Sequence, residues 1–149
     1  MTKVKGLFLL FVFVLLVACG PVPFDEACDH VGQTITVTGY LATMECSRSG
    51  YCCGATIVPG GLQGECNFSL YGKPDQEGRR IQVSIHHSAI IGSFGEESKV
   101  LEMLCKNEPK CFMDGTSRFS VVGKVRHGSM EGFACAMGVD GFENARFIP

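Results

Sequence analysis

Nine cysteines in 149 residues constrain this chain more than any other feature, and the position of the first decides what the others become. Ahead of Cys19, Lys3 and Lys5 give a basic start, and Leu7 to Val17 is unbroken apolar chain. The run from Gly6 to Ala18 is shorter than the ~20 residues a membrane-spanning helix requires. Its order, basic then apolar then small, is that of an export signal. An exported chain meets an oxidising compartment, so Cys28, Cys46, Cys52, Cys53, Cys66, Cys105, Cys111 and Cys135 are expected to form disulfides. Each bridge is expected to add roughly 2–4 kcal/mol by restricting the unfolded chain. Spacing suggests one staple, Cys105 with Cys111, and leaves the other pairings open, out of roughly a hundred that eight cysteines allow.

Leu16-Val17-Ala18-Cys19 is a lipobox, and with the basic and apolar segments before it the N-terminus resembles a bacterial lipoprotein signal. The resemblance implies that residues 1–18 are a cleaved signal peptide. It further implies a diacylglyceryl group on the Cys19 sulfur and a fatty acyl chain, such as palmitate, on its new amine. At ~0.8 kcal/mol per buried methylene, two or three chains make attachment effectively permanent. Gly20 is not the Asp that retains lipoproteins in the inner membrane of enteric-type bacteria. The implied destination is therefore the outer membrane, facing the periplasm or the cell surface.

Cleavage would leave 131 residues, enough for one domain with a hydrophobic core. Losing Lys3 and Lys5 takes the formal charge from −2 to about −4. That argues against nucleic acid as a partner, because phosphates demand a basic face. No second long apolar run follows, so the lipid is the expected membrane contact. Residues 19–27 read as the lipidated cysteine and a short tether stiffened by Pro21 and Pro23, with a reach of at most about 28 Å. Residues 28–149 read as the domain.

Phe24, Ala27, Cys28 and Val31 recur at helical spacing and predict one or two turns ending at Gly32. Thr34-Ile35-Thr36-Val37-Thr38-Gly39 alternates in the way a half-buried strand requires, with Gly39 on the inward phase. Asn67 to Tyr71 and Arg80 to His86 alternate likewise, and Gly72 to Gly78 between them predicts a hairpin. Val100, Leu101, Leu104 and Cys105 share one side of a helix that opens on Glu96 and Glu97 and closes before Pro109. Phe119 to Arg126 is a further strand with Gly123 on its inward phase. Phe133 to Val139 and Phe142 to Ile148 compete for the last one.

This order of three strands, a helix and two strands resembles the OB-fold, a five-stranded Greek-key barrel with its helix between strands three and four. The resemblance rests on Val31 to Gly39 and Phe119 to Val125. Such glycine-punctuated strands recur in OB-fold lipoproteins and in OB-fold domains classed as tRNA-anticodon-binding-like. The expected fold is thus a mainly β, disulfide-rich barrel, departing from the pattern in a cysteine-rich insertion over residues 46–66.

OB-folds usually hold ligands on strands two and three and on the adjoining loops. Alternation turns Asn67, Ser69, Tyr71, Arg80, Gln82, Ser84 and His86 outward there. A polar face with one aromatic suits a glycan, a peptide or an envelope protein. Single-stranded nucleic acid would want several stacking aromatics on basic ground. Neither a Gly-x-Ser-x-Gly elbow nor a His-Glu-x-x-His motif accompanies His30, His86, His87 and His127. The expectation is a membrane-anchored binding or scaffolding module with no catalytic residues and no cofactor. The alternative is a thiolate metal-binding or thiol-redox protein using Cys46, Cys52, Cys53 and Cys66, with His86 or His87 completing a shell.

Overall fold

A computed structural model describes residues 20–44, 52–59, 61–87, 97–128 and 130–149. The expected signal segment, Cys19 and Cys46 lie outside them. Among the described residues seven strands form one sheet: β1 (Thr34–Thr43), β2 (Cys52–Val58), β3 (Gly61–Tyr71), β4 (Arg80–His87), β5 (Asp114–His127), β6 (Cys135–Asp140) and β7 (Ala145–Ile148). One helix, α1 (Glu97–Cys105), stands between β4 and β5. No described helix is long and apolar enough to cross a membrane.

The closure of the sheet follows from β1. Its first part pairs with β5, from Thr34 opposite Lys124 to Tyr40 opposite Arg118, and its last part pairs with β3, from Tyr40 opposite Tyr71 to Thr43 opposite Phe68. The register slips between Tyr40 and Ala42, and such an irregularity bends a strand. Strands β3 and β4 form the expected hairpin, β4 runs parallel to β6, and β6 returns antiparallel to β5. The circuit β1-β3-β4-β6-β5-β1 is the five-stranded Greek-key barrel of an OB-fold, with α1 between its third and fourth strands.

Alternation fills the barrel. Val37, Leu41, Phe68, Leu70, Val83, Ile85, Phe119, Val121 and Val139 are completely buried, while Thr36, Thr38, Lys124 and Arg126 occupy the other phase. The two inward glycines are needed for close approach. A Cβ on Gly39 would lie 2.7 Å from the Tyr71 carbonyl, and one on Gly123 would lie 2.5 Å from that of Gly138. Both distances are shorter than real Cβ contacts, so the strands could not close around alanine at either place without shifting.

Each end of the barrel is stoppered and stapled. Phe24–His30 is a short 3₁₀-helix that buries Ala27, sets Phe24 against Gly72, and is bonded through Cys28 to Cys135 at the start of β6. At the other end α1 buries Val100 and Leu104. It stops where Lys106 and Asn107 turn left-handed, and the expected Cys105–Cys111 bridge ties it to the following loop.

Three expectations change. Both candidates for the last strand form, β6 inside the barrel and β7 outside it against β5, so there are two strands beyond the barrel's five. The cysteine-rich segment is a hairpin, because β2 pairs along the first half of β3 from Val58 opposite Gly61 to Cys52 opposite Asn67. The segment read as a tether meets the barrel before residue 27. Val22 already bridges Val37 in parallel and donates its N–H to the Thr36 carbonyl at 2.8 Å, so the chain reaches the barrel at residue 22.

Candidate functional site

Cross-strand pairing lays out the expected ligand face as four rows on the outer wall of β3 and β4: Glu65 with His86, Asn67 with Ser84, Ser69 with Gln82, and Tyr71 with Arg80. Inward neighbours Cys66, Phe68, Leu70, Ile81, Val83 and Ile85 hold these strands against the core, which fixes the outward direction of the polar set. Asn67 is the hub. Its side-chain oxygen accepts from Ser84 Oγ at 2.6 Å and from Gln82 Nε2 at 3.2 Å, and its Nδ2 donates to Glu65 Oε1 at 3.1 Å. The other Glu65 oxygen lies 3.6 Å from His86 Nδ1, an ion pair when the imidazole is protonated.

The face is polar, but it is not freely solvated. Ser69, Gln82 and Tyr71 keep only 3%, 7% and 9% of their exposure, whereas Asn67, Ser84, His86 and Arg80 are half-buried. Tyr71, the one aromatic of the outward set, therefore offers little of its surface to a ligand. Arg80 leans across the strand ends instead, its Nε donating to the Gly132 carbonyl at 3.0 Å and its guanidinium lying 4.3 Å over the Phe133 ring. A cation over an aromatic face adds electrostatic attraction to the packing. These contacts join the wall to the loop between β5 and β6, the loop after the fourth barrel strand that OB-folds use for binding. The expected face thus gains Glu65, Gly132 and Phe133. The alternation that starts at Asn67 does not include Glu65; taking Cys66 as an apolar residue carries the alternation back to it.

The thiolate alternative meets a different geometry. Cys53 and Cys66 stand directly opposite on β2 and β3 and are bonded to each other, which removes two of its four sulfurs from any thiolate ligand set. Cys52 is placed by its backbone in β2. Successive residues of β4 face opposite sides, so His86 reaches out to Glu65 while buried His87 turns inward. His87 Nε2 lies 3.7 Å from Cys66 Sγ, and its ring centroid is 5.1 Å from that of Phe142. Among the described residues no group of three His, Cys, Asp or Glu side chains is arranged to hold a metal.

One group outside this wall has a displaced pKa. Asp114, at the start of β5, accepts from Thr116 Oγ1 at 2.5 Å and from the Thr116 N–H at 2.9 Å. The hydroxyl bond, then the backbone bond, hold its carboxyl below the ordinary value. This is a local turn on an exposed side chain, with Gly115 left-handed at φ 86° between the two partners. Comparison with known proteins adds no relative to this geometry: no family model, no curated protein and no solved structure matches the chain.

Proposed function

We propose that this chain is a lipid-anchored module of the bacterial cell envelope that binds or scaffolds through the outer wall of β3 and β4 and does no chemistry of its own. The observation that carries the binding reading is the Asn67 hub, which fixes Glu65, Gln82 and Ser84 in one hydrogen-bonded set. Polar groups ordered before a ligand arrives reduce the entropy lost on binding. The lipobox supports the anchor at Cys19 and a place in the outer membrane, and the three disulfides among the described residues suit an oxidising compartment. A hydroxyl-rich or amide-rich partner, a glycan or a peptide, matches the donors and acceptors of the wall.

Two measurements test the reading. Intact mass of the protein exported on its native signal should show an acylated N-terminus at Cys19, and no thiol should alkylate before reduction. Titration of isotope-labelled protein with soluble cell-wall glycopeptides should shift amides at 65–69 and 80–86 first, and Asn67→Ala should remove those shifts. Shifts confined to other strands would overturn the choice of wall, and an unmodified Cys19 would overturn the anchor.

A thiol-redox role draws on one observation, the imidazole of His87 beside Cys66, since a neighbouring His can lower a thiol pKa. Cys66 is fully buried and Cys53 nearly so, which weighs against exchange with an outside thiol. Selective reduction of Cys53–Cys66 in the folded protein, followed by reversible reoxidation, would be its signature.

A further inference from the structure

The charges of this acidic chain are sorted by face. Along the outward phase of β5, Arg118, Lys124 and Arg126 are exposed with Ser120 and Val122 between them. Arg146 of β7 lies opposite Ser120 and extends the row sideways. On the other flank β1 presents Thr34, Thr36, Thr38 and Tyr40. Asp114 opens the same outward phase of β5, but from Arg118 to Arg126, along β7 and along β1 from Thr34 to Tyr40 no acidic residue occupies it, and among the described residues none of the four cations has a carboxylate partner. From Arg118 to Arg126 the row runs roughly 27 Å.

The end of the barrel closed by the Phe24–His30 helix has the opposite sign. Asp25, Glu26 and Asp29 of that helix are exposed, and Arg79 donates to the Asp25 carbonyl beside them. The N-terminal segment leaves from beside the basic face. Val22 bonds to β1 at Thr36, whose partner across the barrel seam is Val122, and Thr34 faces Lys124. Cys19 is three residues upstream, a span of roughly 10 Å when extended.

We propose that the outer face of β1, β5 and β7 is a docking surface for anionic phospholipid headgroups, on which the anchored barrel lies along its side. The proposal rests on the anchor at Cys19 for its occupant: a tether this short keeps the barrel in headgroup contact, within the ~10 Å over which surface charge acts. Standing on the Phe24–His30 end would press the three carboxylates of that helix against an anionic surface. Lying on β5 replaces that repulsion with four attractions, each raising partition onto the surface about fivefold.

The test uses two preparations. Protein exported on its native signal is added from detergent to vesicles of phosphatidylcholine, alone or mixed with phosphatidylglycerol, and labelled with an amine reagent that does not cross membranes. Lys124 should be protected in the mixed vesicles and open in pure phosphatidylcholine and at high salt, while Lys73 stays open throughout. Intact mass of the same sample reads acylation at Cys19. A Cys19→Ser chain exported behind a non-lipoprotein signal is then floated with the same vesicles. R118Q, K124Q, R126Q and R146Q should each lower its flotation with anionic vesicles about fivefold, with the Cys28–Cys135 bond intact by mass. Equal labelling of Lys124 and Lys73 in anionic vesicles, or a fourfold variant that floats like its parent, overturns the docking face. An unacylated native protein that still floats overturns the anchor and upholds the face.

Discussion

The Cys28–Cys135 bond should contribute more stability than either of the other two bridges among the described residues, and the margin can be worked from the chain. It joins positions 107 residues apart, against 13 for Cys53–Cys66 and 6 for Cys105–Cys111. Loop-closure entropy gives about 4.8, 2.9 and 2.2 kcal/mol for loops of those lengths at 25 °C. The two smaller bridges lie inside the large loop and shorten its flexible path, but the dependence is logarithmic and the large value falls only to about 4.6 kcal/mol. Paired alanine substitutions remove two sulfurs in each case, so packing losses largely cancel between variants. Cys28→Ala with Cys135→Ala should therefore be about 2.4 kcal/mol less stable than Cys105→Ala with Cys111→Ala. Guanidinium unfolding under oxidising conditions measures both. For a domain of this size the gap corresponds to roughly 10 °C in Tm. Equal stability of the two variants, or the reverse order, would refute the argument and place the stabilisation in the folded state instead of the unfolded chain.

Gly123→Ala should destabilise the barrel by roughly 1–3 kcal/mol, because the new methyl meets the Gly138 carbonyl, whereas Gly54→Ala, with open space at its Cβ, should be near neutral; thermal unfolding separates them. Asn67→Ala strips partners from Ser84 and nearly buried Gln82 and should cost roughly 1–3 kcal/mol in urea, more than Ser84→Ala, which removes one bond. The lowered pKa of Asp114 means that its turn favours the folded chain at pH above the ordinary carboxylate value and loses that contribution as pH falls through the folded pKa. Thr116→Val removes the larger of the two causes, so the Asp114 titration followed by NMR should move up toward the ordinary value.

Period-two alternation made the barrel legible: Thr34 to Gly39, Asn67 to Tyr71, Arg80 to His86 and Phe119 to Arg126 all lie in strands, with Gly39 and Gly123 on the inward phase as read. What alternation cannot report is which strand lies beside which. The contact of Arg80 with Gly132 and Phe133 crosses about fifty residues, and β7 is only four residues long, too short for its pattern to announce it. The first half of β3 was hidden because Gly61 to Gly64 interrupt the pattern and cysteine carries no fixed polarity. Of the candidate wall, the sequence gives the outward direction of each side chain. The near-complete burial of Ser69, Gln82 and Tyr71 depends on neighbours that the sequence does not place.

The staple between Cys28 and Cys135 also decides how the molecule bears load. A chain tugged by its N-terminus would first lose the single bridge of Val22 to Val37 and then the turn around Ala27. At Cys28 the pull divides, and part of it crosses the disulfide directly into the start of β6, which lies between β4 and β5. Strand β1 is then not peeled from its open end, where hydrogen bonds would yield one at a time. Its bonds to β5 are loaded together, and unzipping from the N-terminus gives way to shear.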